Sequence, residues 1–305
     1  MKNTNLKHIL ALLLVLVLML GMLPAAYAQS DAAPAQESAG EAESAPAEPS
    51  QLQKLLTKAK ENGGFLLVCL GVFAGLFLLA WLFERLLMKD RKKFSDTHYI
   101  AYTAIFSTMA AVLMLLEFPL FFAPGFYKLD LSELPVMICT FYLGPVAGVA
   151  AEFLKVFLKL LLKGTSTAFV GDFANFAVGC TFVLPASVIY HARPSKKTAL
   201  IGMLAGTVLM TVFGSAFNAL YLIPKFAQLF HMELEKIVAM GTGVNRHITS
   251  VYTLVLYAVV PFNLLKGAVI SALTFLLYKR ISPLMHKGDA NKQGRKQKSG
   301  QSETN

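Results

Sequence analysis

The chain has 305 residues, 55% of them hydrophobic and only 15% charged, with a formal net charge of +10. Soluble domains carry about 25% charge; here the apolar residues gather into runs long enough to cross a bilayer, so the class is an all-α polytopic membrane protein, and strand-type alternation is absent. The basic residues sit at the ends of the apolar runs, as cytoplasmic anchors do, which makes the lipid bilayer the partner and excludes nucleic acid.

Residues 1–28 read as a signal peptide: MKNTNLK is the basic head, HILALLLVLVLMLGMLP the apolar core, and AYA the cleavage motif before Gln29. The long core leaves an uncleaved anchor open. Residues 29–62 are expected to form a disordered acidic linker and a short polar segment, since residues 29–50 hold five acids and no base. Residues 63–97 follow as an extra N-terminal transmembrane helix, GGFLLVCLGVFAGLFLLAWLFERLL, and a cytoplasmic basic turn, MKDRKK.

Residues 98–282 are expected to hold six helices. The first runs outward over about 98–122 and is broken by Pro119 and Pro124. An external loop, FYKLDLSELP (126–135), leads into a hairpin that turns at Gly144-Pro145 and is short for two full spans. VGDFANFAVGCTFVLPASVIYHAR (170–193) runs inward, and residues 198–224 run outward to Pro224. Residues 225–247 form an external connection with a surface helix. In the last apolar run, 248–278, the membrane-crossing part is expected to start at Pro261, after an external or interfacial helix 248–260. Residues 283–305 are a basic cytoplasmic tail. All strongly basic patches fall on one side, which predicts a plasma-membrane protein with a cytoplasmic C-terminus.

Polar residues punctuate these helices at one depth. Asn263 and Lys266 share a face at i, i+3, beside Gly267. Asn218 lies six residues before Pro224, Asp172 and Asn175 open the fourth helix, and Lys128, Asp130 and Glu133 lie in the external loop. Lys266 could snorkel and Asn218 could bind two helices together. Four sources at one level instead point to an outward-facing pocket. Phe118, Phe121, Phe122, Phe126, Tyr127, Phe217, Tyr221 and Phe262 stand nearby, which suits a flat heterocycle with a polar edge. Residue types alone do not name it.

Other chemistry is sparse. Cys69, Cys139 and Cys180 lie in apolar runs without a CxxC, so neither a disulfide nor a metal is expected. GxxxxGK[ST], HExxH and GxSxG do not occur, so no catalytic residues and no enzyme activity are predicted, and the chain has no nucleotide-phosphate cradle of its own. Glu152, Lys155, Lys159 and Lys163 form a charged stripe on one helix, open to three readings: a proton relay, a face shielded from lipid, or a partner contact.

FYKLDLSELP, the hairpin with GPVAGVAAEFLK, VGDFANF with LPASVIYH, FNALYLIP and PFNLLKG occur here in that order. Together they resemble the riboflavin-specific substrate-binding (S) subunit of energy-coupling factor (ECF) vitamin transporters, over about 98–282. The resemblance implies a six-helix S-component bundle that binds riboflavin from the outside as transported ligand, with no cofactor. Asn218, Asn263 and Lys266 would hold the polar edge of the isoalloxazine ring. Lys128, Leu129 and Asp130 would cover the site, and Asp172 and Asn175 would line or support it. It further implies a membrane-embedded coupling subunit and two ATP-binding subunits as partners. The coupling subunit would meet small residues of the first helix, with the family's alanine pair mapping on Ala104 and Thr108; internal packing of these small residues is the competing reading. The added N-terminal 97 residues depart from the family pattern. Another small vitamin as ligand, or a structural or signalling module, are the alternatives.

Overall fold

The computed structural model describes residues 51–88 and 97–277. The expected signal peptide, the linker up to residue 50, the basic turn at 89–96 and the basic tail lie outside the described residues. Residues 51–61, expected to be a short polar segment, form helix α1 (Gln51–Glu61), because Leu52, Leu55, Leu56 and Ala59 recur at helical spacing. Helix α2 (Gly63–Leu87) follows, then α3 (Thr97–Leu115). The expected span to residue 122 stops short. Phe118–Pro119 (β1) instead pairs antiparallel with Lys128–Leu129 (β2), Phe118 opposite Leu129. Proline has no backbone N–H to continue a helix but is tolerated in such an edge pair.

The hairpin is α4 (Glu133–Leu143) and α5 (Pro145–Lys163), joined at Gly144. Eleven residues give α4 a length of about 16 Å, roughly half a bilayer core, so α4 is its incomplete member. Helix α6 is Val170–Ala192. Helix α7 runs Lys196–Leu229, α8 is Leu234–Thr242, and α9 runs Val251–Leu277. By length and composition, α2, α3, α6, α7 and α9 can cross a membrane.

Two expected boundaries shift. Helix α7 does not end at Pro224, and α9 does not begin at Pro261. Each helix contains a π-helical turn that closes two residues before its proline: Asn218–Leu222 in α7 and Val255–Val259 in α9. The wider turn moves the ladder to i→i−5, as in Ile223 N–H to Asn218 O, and relieves the clash a proline ring makes inside an α-helix. Asn263 therefore lies in the middle of α9, not in its first turn.

The helices alternate in direction. One end of the bundle carries the β1–β2 loop, residues 164–169 and α8; the other carries Gly144, Arg193, Lys196 and Lys197. Helix α6 runs through the centre. Gly202 and Gly206 of α7 let the two backbones touch: a methyl on Gly202 would stand 2.7 Å from the Ala186 carbonyl oxygen, and one on Gly206 would collide with that of Phe182. Helix α2 lies against α5 and α6 through Phe73, whose ring is 4.3 Å from that of Phe153 and 5.9 Å from that of Phe176. At its far end buried Glu84 accepts the Val146 N–H at 3.3 Å, a carboxylate at the N-terminus of α5. At the loop end Lys58 of α1 donates to the Thr165 carbonyl at 2.9 Å.

Candidate functional site

A cavity of about 190 Å³ opens into the bundle at the loop end, between the β1–β2 loop, α6, α7 and α9. Each wall is set by local structure. The Tyr127 N–H bonds the Pro124 carbonyl, a turn that aims Phe126 and Tyr127 at the cavity. Asp130 accepts the Ser132 N–H at 2.9 Å and the Ser132 hydroxyl, an Asx-type turn that leads into α4. Asn218 lies eleven residues from the loop-side end of α7 and Asn263 twelve from that of α9, so the two amides are level. Gly214 makes room for the second: a methyl there would be 2.9 Å from Asn263 Nδ2.

Of the expected residues, Lys128, Asp130, Asn175, Asn218, Asn263 and Lys266 line this one cavity. Two do not. Leu129 is held in the β1–β2 pair, and Asp172 turns to Lys159, 2.5 Å away. Of the eight aromatics, only Phe126, Tyr127 and Phe262 reach the wall, joined by Phe226. Phe217 and Tyr221 stack inside the core instead, and Phe118 and Phe121 are exposed.

The polar groups are not equally engaged. The Tyr127 hydroxyl donates to Asn218 Oδ1 at 2.8 Å, while Asn218 Nδ2 donates to the Gly214 carbonyl at 2.7 Å, so both ends of that amide are held. Burial pushes the Tyr127 phenol above its ordinary value. Asn263 Nδ2 donates to Val259 O at 3.1 Å. Asn175 Oδ1 is buried without a hydrogen-bond partner.

Lys266 donates to Asp130 Oδ2 at 3.1 Å and stands 3.6 Å from Glu133 Oε1. Lys155, fully buried, lies 2.6 Å from Glu133 Oε1 and 2.7 Å from Glu152 Oε2. A chain of alternating charge thus runs from the loop into the core: Asp130, Lys266, Glu133, Lys155, Glu152. Burial alone would raise the Asp130 carboxyl, but the Lys266 and Lys155 ammoniums outweigh it and hold it below the usual carboxylate range. Farther out, Glu117 bridges Lys163 and Lys128, the latter at 2.9 Å. Each lysine of the α5 stripe therefore faces a carboxylate of this chain, inside the bundle at Lys155 and Lys159 and at its rim at Lys163.

On α3 the small residues divide. Thr103, Ser107 and Ala111 are buried, whereas Ala104 and Thr108 point outward on an exposed face. Internal packing is excluded for that pair within the described residues.

Glu133 and Tyr127 carry more of the site than the sequence indicated. Glu133 reads as a loop acid, yet it opens α4 and accepts from Lys155. The available signal was Lys155 itself, because an ammonium at membrane depth requires a carboxylate. The Tyr127 bond had no such signal.

A family model described as "ECF transporter, substrate-specific component" matches residues 98–278. Riboflavin transporter FmnP of Bacillus subtilis (strain 168) is 31% identical over 181 residues, 59% of this chain and 90% of FmnP. Riboflavin transporter RibU of Staphylococcus aureus (strain TCH60) is 32% identical over 184 residues, 59% of this chain and 87% of RibU. A solved S component of a bacterial ECF transporter superposes with a TM-score of 0.50 at 30% identity, covering 63% of this chain and 99% of that one. Helices α1 and α2 lie outside the family match.

Proposed function

The chain belongs to the substrate-specific components of ECF transporters, and on that premise we propose that it captures riboflavin in the loop-end cavity for uptake driven by separate energising subunits. It is a multi-pass protein of the bacterial membrane whose relatives are transporters, not enzymes. The carrying observation is the convergence of three amides and two ammoniums on an aromatic-walled cavity. An isoalloxazine ring presents a flat apolar body and an edge of carbonyls with an imide N–H. Amides donate and accept, so Asn218 and Asn263 match that edge, and Lys266 supplies a charged donor to a carbonyl. The free oxygen of Asn175 suits a hydroxyl of the ribityl chain.

The cavity is smaller than the roughly 300–1,000 Å³ of pockets for drug-sized ligands. Entry of the ligand therefore moves residues 126–130 outward, and Tyr127 releases Asn218 to it. Lys128, Leu129 and Asp130 then cover the bound ring, while Asp172 supports the wall through Lys159. In this reading the loop end faces outside, the end with Arg193, Lys196 and Lys197 faces the cytoplasm, and so does the C-terminus. Residues 98–282 form the six-helix substrate domain, α2 adds a seventh span, and residues 1–28 serve as signal peptide. Ala104 and Thr108 leave a close-approach face on α3 for a membrane-embedded coupling subunit. Two ATP-binding subunits supply the work of release, since the chain has no phosphate cradle.

Purification from cells grown with riboflavin tests this. The protein should carry a flavin absorption spectrum, and free riboflavin fluorescence should be quenched on titration. Asn263→Ala leaves a buried ligand edge unpaired, at about 1–3 kcal/mol, which weakens binding by about tenfold or more. Colourless protein with unquenched flavin overturns the assignment.

A further inference from the structure

The charge chain under the cavity does not balance. It holds three carboxylates, Asp130, Glu133 and Glu152, and two ammoniums, Lys155 and Lys266. Glu133, Glu152 and Lys155 are at most 1% exposed, and Asp130 and Lys266 at most 7%. A leftover negative charge at membrane depth is costly unless it is neutralised. Among the described residues the surroundings supply no further cation: the neighbour on α6 is the Cys180 thiol, Lys159 is committed to Asp172, and Lys163 to Glu117.

Geometry indicates where the imbalance is resolved. Lys155 Nζ is 2.6 Å from Glu133 Oε1 and 2.7 Å from Glu152 Oε2, so one ammonium gathers both carboxyl groups around itself. Glu133 Oε2 and Glu152 Oε1 are buried with no hydrogen-bond partner. Two buried carboxylates gathered on one ammonium repel each other, and a proton on one of them removes that repulsion. Gly179 completes the seat, since a methyl there would stand 2.5 Å from Glu152 Oε2.

We infer that Glu133 and Glu152 form a proton-binding site that holds one proton per chain, as a carboxylic acid–carboxylate hydrogen bond. The site then contains two negative and two positive charges and one neutral acid. No covalent bond other than O–H changes. Glu133 also lies 3.6 Å from Lys266, which lines the ligand cavity, so proton and ligand sites share an ammonium. Ligand that draws Lys266 away from Glu133 strengthens the hold on the proton, and by reciprocity the proton favours the ligand.

The test uses the full-length, ligand-free protein at neutral pH. Infrared difference spectra should show a deuterium-sensitive carboxylic-acid carbonyl band. Glu152→Gln keeps the shape and removes the surplus charge, so the band should vanish; it should persist in Glu117→Gln, which lies outside the cluster. Wild-type thermal stability should fall as pH rises and the pair loses its proton, because the folded state then binds more protons than the unfolded one. Glu152→Gln should lack that part of the fall. Should Glu152→Gln fail to accumulate, Glu133→Gln provides the same spectral test. A wild-type protein without the band, or a band that survives both substitutions, overturns the site. The proposal does not depend on riboflavin: a colourless protein that still shows the band would remove the ligand assignment and leave the proton.

Discussion

Helices α2 and α6 are neighbours with opposite character. Helix α2 has a mean hydropathy of 2.7 over its most apolar stretch, yet only 28% of that stretch is buried inside the protein; for α6 the values are 1.6 and 83%. In a soluble domain the more apolar helix would be the buried one. Here lipid takes the place of water, so the helix at the rim must be apolar all round, while the central helix can carry Asp172, which Lys159 of α5 answers, and Asn175, which faces the cavity. Polar residues mark the interior, and the greasiest span marks the edge.

Substitutions can break or sharpen this contrast. The largest effect is expected at the α6–α7 seam. Gly206→Leu drives a side chain into the Phe182 carbonyl and should cost about 1–3 kcal/mol, read as a lowered unfolding midpoint in detergent. A smaller loss, about 0.3–1 kcal/mol, is expected for Glu84→Gln, which removes the charge that α2 places at the α5 N-terminus. An unchanged midpoint there would mean that α2 is held by its aromatic seam alone. The smallest effect belongs to the lipid-facing side: Leu70 is 58% exposed, and Leu70→Ala should stay within about 0.5 kcal/mol. A large loss at Leu70 would instead reveal that this face of α2 packs on something.

Much of the fold was legible along the chain. The apolar runs located α2, α3, α6, α7 and α9 because a membrane-crossing segment satisfies its backbone within itself and needs about 20 apolar residues to do so. Boundaries were less legible. Pro224 and Pro261 read as helix ends, and both lie inside continuous helices, because a π turn is a packing solution with no residue signature of its own. The cavity residues were legible as a set, since amides and ammoniums are conspicuous in apolar text. Leu129 was not separable from its neighbours Lys128 and Asp130, because a single residue step turns a side chain to another face, and Asp172 was not separable from Asn175, because residues at i, i+3 share one helical face.

What the sequence determined by itself is therefore local: membrane class, the location of the apolar spans, and the inventory of polar groups that must be buried. What tertiary structure decided is who meets whom. Tyr127 and Asn218 are 91 residues apart and Lys266 and Asp130 are 136 apart, yet each pair shares a hydrogen bond. Hydropathy acts on one helix at a time, whereas pairing of buried charge depends on the packing of all of them, and no single segment contains that information.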